Sequence, residues 1–242
     1  MNSKISIIIP IHNEEGNIIA LIDELLPIVE KIGGEIIVVD DNSNDSSRDL
    51  ILKKKERHNS KILLLHHSRQ YGQSAGLLTG IKYAKHNLIV TLDGDGQNDP
   101  KDIIPMLKVW EKNKNNKDLL IIGHRINRQD TWSRRYASFL AQTVRNIILK
   151  DPTPDSGCGI KVFSKHLFLS LPYFDHIHRF LPALTRRNGG SVISHAVSHR
   201  NRSSGVSKYN NWQRFRVGLV DLYGVSWLIR RSSFPIKFKD KN

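Results

Sequence analysis

Five runs of near-continuous Ile, Val and Leu punctuate the first half of the chain: KISIIIPI, EIIVVDD, KILLLHH, NLIVTLDGD and DLLIIGH. Strands covered on both faces read this way, because neither face is left free to carry polar side chains. The stretches between them, 14–31, 45–57, 72–86 and 100–114, repeat their apolar residues at helical spacing. Strand and helix in alternation predict an α/β fold: a mostly parallel, Rossmann-like sheet with helices on both faces. At 242 residues the chain is long enough for one large domain with a sizeable core. Ligands of such sheets bind beyond the carboxyl ends of the strands, so the polar residues that follow each run are the candidate functional residues.

Those residues are PIHNEE, DDNSNDSS, SRQYGQSAG, DGDGQNDP and GHR. Neither G-x-x-x-x-G-K-[ST] nor a G-x-G-x-x-G after the first strand is among them, which argues against a P-loop kinase and a dinucleotide oxidoreductase. Asp93 and Asp95 stand one residue apart at a strand end, where two carboxylates repel until a cation neutralises them. A hard divalent ion takes oxygen ligands and leaves positions for substrate phosphates, and Asp93, Asp95 and Gln97 supply such oxygens. DDNSNDSS also suits a helix start, a role that fits Ser43 and Asp45 in particular. Asp-Gly is a common turn signal, so DGDG taken alone also reads as a turn.

Beyond about residue 124 the pattern loosens into a helix at 132–149, a turn PDSGCG, a strand-like IKVF and a polar loop HRNRSSGVSKYNN. The tail WQRFRVGLVDLYGVSWLIRR follows. Residues 1–123 hold 16 Lys and Arg against 17 Asp and Glu, whereas residues 124–242 hold 21 against 6. A basic second half faces phosphates, of a nucleic acid, of anionic lipid headgroups or of a substrate. No run approaches the roughly 20 apolar residues of a spanning helix, and the N-terminus does not read as a secretory signal, so the cytosolic side is the expected location. Trp227, Arg230 and Arg231 suit a tail helix lying in a membrane interface. Cys158, the single cysteine, excludes an internal disulfide and reads as a small residue wedged between Gly157 and Gly159. His195 and His199 have the spacing of a helical zinc pair, but their β-branched surroundings read as strand, where they stand roughly 13 Å apart.

Six motifs in order, IIPIHNE, VVDDNSNDSS, DGDGQNDP, GHR, DSGCGIKVF and RSSGVSKY, resemble family 2 glycosyltransferases of the GT-A fold. Within these, the resemblance is to dolichol-phosphate mannose synthases and bacterial polyprenyl-phosphate sugar synthases. It implies a catalytic domain over 1–209, with a nucleotide-sugar half (1–123) and an acceptor half (124–209), and a membrane-associating tail over 210–242. By the same resemblance Pro10, His12, Glu14, Val39, Asp41, Asp93 and Gly94 bind the nucleotide, and Asp93, Asp95 and Gln97 hold Mg²⁺ or Mn²⁺ on its diphosphate. Arg125, with Asp95, belongs to the catalytic set; Arg134 and Ser138 meet the acceptor phosphate; and Arg202 and Lys208 lie on a loop that closes over the phosphates, in a segment that also carries Arg200. His12 stands where the family often has tyrosine. The implied partners are a nucleotide-sugar donor, UDP- or GDP-linked with a lean toward UDP, a polyprenyl phosphate acceptor and an anionic membrane surface at the cytoplasmic face. The product would feed envelope glycan synthesis. An integral-membrane partner or a homo-oligomer is left open.

The chemistry agrees with the resemblance. A polyprenyl phosphate is a monoester with a second pKa of about 6, so at neutral pH its oxygen attacks an anomeric carbon without a protein base. A sugar-hydroxyl acceptor, the alternative within the family, would need a carboxylate base, and the Q-x-x-R-W signature of processive members is absent. A nucleic-acid-binding protein, the alternative of another class, has no use for three acidic clusters at one sheet edge, and no nucleic-acid partner is expected.

Overall fold

Every residue of β1 (Ile5–Ile11) is buried, and its side chains alternate between two cores. Ile5, Ile7, Ile9 and Ile11 face one hydrophobic cluster and Ile8 the other. The same division holds in β2 (Glu35–Asp40), where Ile36 and Val38 point one way and Ile37 and Val39 the other. A strand clothed on both sides needs helices on both sides, since each buried Ile or Val contributes about 1.5–3 kcal/mol only when covered.

The computed structural model describes residues 4–58, 60–116, 118–126, 142–200 and 211–231. The first core is roofed by α1 (Ile18–Ile32), α2 (Ser47–Arg57) and α4 (Ile103–Lys112), through Leu21, Ile22 and Leu25, Ile51, and Met106, Leu107 and Trp110. Covering the second are α3 (Gln73–Tyr83), a helix α5 described over 142–149, α6 (Lys165–Ser170), α7 (Leu181–Arg187) and α8 (Asn211–Arg230). Leu77 and Ile81, Leu149, Leu167 and Phe168, Leu181 and Leu184, and Leu222 and Val225 are their contributions.

The remaining strands are β3 (Ile62–His66), β4 (Leu88–Thr91), β5 (Leu119–Arg125), β6 (Lys161–Ser164) and β7 (Ser191–Val197). The seven lie in the order β3-β2-β1-β4-β6-β5-β7. All neighbours run parallel except β6, which is antiparallel to both β4 and β5. The expected α/β class and the five expected strands are present, and IKVF is indeed a strand. The short helices α6 and α7 were not foreseen. Of the helix expected over 132–149, residues 142–149 are helical and the rest lie outside the described residues. His195 lies in β7, and His199 forms an isolated antiparallel bridge with Asn98, which removes the helical zinc pair. Chain order reverses between β1 and β4, and the crevice at their carboxyl ends is where this architecture places a ligand.

Candidate active site

Two loops at that edge brace each other. Asn13 N–H donates to Ser43 Oγ (2.9 Å), Asn44 N–H to Asn13 Oδ1 (2.7 Å), Glu14 N–H to Ser47 Oγ (2.8 Å) and Glu15 N–H to Asp45 Oδ2 (3.1 Å). Asn13 and Asn42 take left-handed φ of 54° and 60°, a conformation that asparagine tolerates better than most residues. Of the two residues in the helix-start reading of DDNSNDSS, Asp45, one position before the N-cap Ser46, accepts through Oδ1 from the N–H of Ser47, the first residue of α2. Ser43 N–H donates to Asp40 Oδ1 instead. Asp40 and Asp41 pair with the two histidines that end β3, Asp40 with His66 (2.9 Å) and Asp41 with His67 (2.8 Å). Asp41 also accepts from Tyr71 N–H (2.8 Å) and Gly72 N–H (2.7 Å), so its carboxylate fixes the entry to α3. His12 Nδ1 lies 2.9 Å from the Asp41 carbonyl. Pro10 is buried in β1. Val39 is wholly buried in the second core, so its side chain is a packing group.

Asp93 and Asp95 emerge at the switch point just beyond Leu92, whose N–H donates to the Ile8 carbonyl of β1 (3.1 Å). Gly94 lies against β1, where a Cβ would stand 2.5 Å from Ile11 Cγ2. Across the crevice a Cβ on Gly159 would stand 2.2 Å from Asp93 Oδ2 and 2.7 Å from Asn98 Oδ1, so the chain must lack a side chain there for the carboxylate to keep its place. Gln73 Nε2 donates to Asp93 Oδ1 (2.7 Å), Asp93 N–H to Asn98 Oδ1 (3.2 Å), and Gln97 N–H to Asp95 Oδ1 (3.1 Å). Gln97 thus meets Asp95 through its backbone. Burial first, and the Asp95 charge second, push the Asp93 carboxyl up to about 6, against Lys161, Arg125 and the Gln73 hydrogen bond. Crowded carboxylate oxygens of this kind fit a hard divalent cation. Among the described residues no set of three or more His, Cys, Asp or Glu side chains gathers as a cage.

Three further residues, Asp155, Cys158 and Lys161, lie in the DSGCGIKVF motif, with Asp155 and Lys161 given no role of their own in the sequence reading. Asp155 takes a two-point pair with Arg125, Nε to Oδ2 at 2.6 Å and Nη2 to Oδ1 at 2.8 Å. Lys161, buried in β6, donates its ammonium to the Cys158 carbonyl, close enough to Asp93, Asp155 and Arg125 to feel their charges. Burial pulls its pKa below the ordinary lysine value. Cys158 is fully buried and its thiol is pushed up to about 11, chiefly by that burial, as the wedged-residue reading expects of an inert thiol. Arg200 is not part of a free basic loop: it pairs with both Glu24 oxygens (2.8 and 2.9 Å) and with Asp99 (2.7 Å), and its N–H binds the Gln97 carbonyl (2.9 Å). It staples the end of the β7 segment to the back of the Asp93–Asp95 loop. Arg134, Ser138, Arg202 and Lys208 lie outside the described residues.

The sequence model described as glycosyl transferase family 2 matches residues 6–171, well over half of the chain. The chain belongs to glycosyl transferase family 2. Among relatives in this family, a dodecaprenyl-phosphate galacturonate synthase of Rhizobium johnstonii is 35% identical over 176 residues, covering 70% of this chain and 50% of that protein. An undecaprenyl-phosphate 4-deoxy-4-formamido-L-arabinose transferase of Enterobacter sp. (strain 638) is 32% identical over 210 residues, covering 86% and 63%. The chain therefore spans half to under two-thirds of the length of these relatives. A glucosyl-3-phosphoglycerate synthase of Mycobacterium tuberculosis, solved with Mn²⁺, UDP-glucose and phosphoglyceric acid, superposes with a TM-score of 0.68 at 16% identity, over 93% of this chain and 80% of that one. A mannosyl-3-phosphoglycerate synthase of Rubrobacter xylanophilus gives 0.70 at 14%, over 97% and 77%. At such identities the family 2 chain shares with them the GT-A fold. The matched stretch includes the loops that follow β1, β2 and β4, with Asp93, Asp95, Asp155 and Lys161, and stops before β7 and α8.

Proposed function

We propose that the chain is a metal-dependent, inverting glycosyltransferase that moves a sugar from a nucleotide diphosphate sugar to a polyprenyl phosphate at the cytoplasmic face of a membrane. The observation that carries this reading is the Asp93–Asp95 pair at the switch point of a family 2 fold whose relatives include two polyprenyl-phosphate sugar transferases. UDP is the preferred nucleotide, supported by the UDP-glucose held by the Mycobacterium fold neighbour.

In this reading Asp93 and Asp95 hold Mg²⁺ or Mn²⁺, which when bound supplies positive charge to the departing nucleoside diphosphate. Gln73 and Asn98 fix Asp93 in place beforehand, so little reorganisation is needed when the donor arrives. Lys161 and Arg125 lower the cost of gathering Asp93, Asp95 and Asp155 in one crevice. Carboxylates nearby are engaged within the protein: Asp155 by Arg125, Asp41 by His67 and two backbone N–H groups, Asp99 by Arg200. That arrangement suits an acceptor which arrives as an anion and needs no proton removed. Arg202 and Lys208 are assigned to the donor and acceptor phosphates, and Arg134 and Ser138 to the acceptor.

The outward face of α8 is assigned to the anionic lipid surface that presents the acceptor. Leu219, Val220, Tyr223 and Trp227 are exposed along it, next to Arg230 and Arg231. Among the described residues no helix is long and apolar enough to cross a membrane.

The test is transfer of labelled sugar from a panel of UDP- and GDP-sugars to undecaprenyl phosphate in detergent or liposomes, with Mn²⁺ or with excess EDTA. Transfer to the lipid phosphate that EDTA abolishes is the expected result. Transfer to a sugar hydroxyl instead, or activity indifferent to EDTA, would overturn the reading.

A further inference from the structure

The segment between α6 and α7 bears two histidines, neither part of the site described above. His178 Nδ1 lies 2.8 Å from Ser74 Oγ, a buried hydroxyl in the first turn of α3. The residue before it, Gln73, is the one that donates to Asp93. His176, at a left-handed φ of 66°, places its Nδ1 3.0 Å from Asp221 Oδ2 of α8. Between the two, Ile177 is fully buried, in the core that also takes Leu222 and Val225 of α8. The first turn of α3 is thus tethered from two sides, by Asp41 through the Tyr71 and Gly72 N–H groups and by His178 through Ser74. Burial, with Lys161, Arg179 and His176 around the ring, holds the His178 pKa well below the ordinary imidazole range. A neutral ring keeps one nitrogen lone pair and one N–H, and a hydroxyl matches either.

We propose that His178 is a positioning residue for the metal-binding carboxylate: through Ser74 it fixes the first turn of α3, and that turn aims Gln73 at Asp93. Ile177 packs the same segment into the core that takes Leu222 and Val225 of α8. The inference rests on the donor-site reading given above. It concerns an arm of the site that comes from the second half of the sequence, 104 residues from the Ser74 hydroxyl through which it acts.

Losing one such hydrogen bond weakens what it positions by about five- to tenfold. The experiment is calorimetric binding of UDP and GDP to the full chain, with Mn²⁺ and again in EDTA. The variants are His178→Ala, Ser74→Ala, His178→Asn, Gln73→Ala and the His178→Ala/Gln73→Ala pair, each with its melting temperature. His178→Ala and Ser74→Ala are expected to weaken Mn²⁺-dependent nucleotide binding by that factor, with binding in EDTA unchanged. His178→Asn, whose amide retains a hydrogen-bonding group, should recover part of the loss. In the Gln73→Ala background the His178→Ala change should have no further effect, a result that mere loosening of the fold would not give. Unchanged Mn²⁺-dependent affinity in His178→Ala and Ser74→Ala, or an equal loss in EDTA, overturns the proposal while leaving the donor site standing. If the unmodified chain binds neither nucleotide with Mn²⁺, the donor-site reading falls as well.

Discussion

Asp93 is held in a form that the folded protein finds costly at neutral pH. Its carboxyl titrates near 6 in the fold, while an unfolded aspartate titrates near 3.9. Between those values the folded chain binds more protons than the unfolded one, so its contribution to stability is fullest below about pH 4 and is lost as pH rises through 6. Asp93→Asn is therefore expected to stabilise the metal-free protein at pH 8 by about 1–3 kcal/mol and to leave it nearly unchanged at pH 4, as thermal melts would show. The same variant should lose the stabilisation that Mn²⁺ with nucleotide confers on the unmodified chain. A melting temperature that falls at pH 8 would contradict this account. Asp93 and Asp95 were legible in the sequence because both follow a strand directly. Lys161 was not, since in IKVF it reads as an ordinary polar position of a half-exposed strand. Only the insertion of β6 between β4 and β5 turns it under the carboxylates. The Arg125–Asp155 pair joins residues whose spacing carries no periodic signal. Arg200 was noted only as one cation of the loop segment, because the sequence does not show Glu24 and Asp99 arriving from two other elements.

At the scale of elements, β1, β2, β4 and β5 were legible because burial on both faces leaves an uninterrupted apolar run, and the edge strand β3 because ILLL keeps such a run although only Ile62 is buried. The edge strand β7 shows SVISHAV, mixed in polarity and partly exposed, and α7 is only seven residues long, too short for periodicity to declare it. The tail α8, read from its sequence as an interfacial helix, has two unlike faces. Leu222 and Val225 are buried against the second core, whereas Tyr223 is 76% and Val220 71% exposed. Leu222→Ala is expected to cost about 2–5 kcal/mol in chemical denaturation, and Tyr223→Ala within about 0.5 kcal/mol. Tyr223→Ala combined with Trp227→Ala should instead reduce co-sedimentation with anionic liposomes. Equal destabilisation by both kinds of change would mean that the outward face is also packed.

The whole molecule carries a net charge of +14, −1 from residues 1–123 and +15 from residues 124–242. If that half faces lipid headgroups, association with vesicles containing anionic lipid should fall steeply as salt rises from 0.05 to about 0.5 M, as screening shortens to a few ångströms. Retention on DNA that exceeds retention on vesicles at equal salt would favour the nucleic-acid alternative. One more consequence lies in the strand order. β5 is synthesised before β6 yet reaches the sheet only through it, because β6 separates β5 from β4. A nascent chain that has produced β4 thus carries a bare, apolar sheet edge along Val90 and Thr91 until their partners Val162 and Lys161 leave the ribosome, about 70 residues and several seconds later. Fragments ending near residue 125 should aggregate when translated alone, and those reaching residue 170 should not. For those seconds the growing chain depends on whatever shields an open edge in the cell, and its yield should follow the supply of nascent-chain chaperones more closely than the stability of the finished fold.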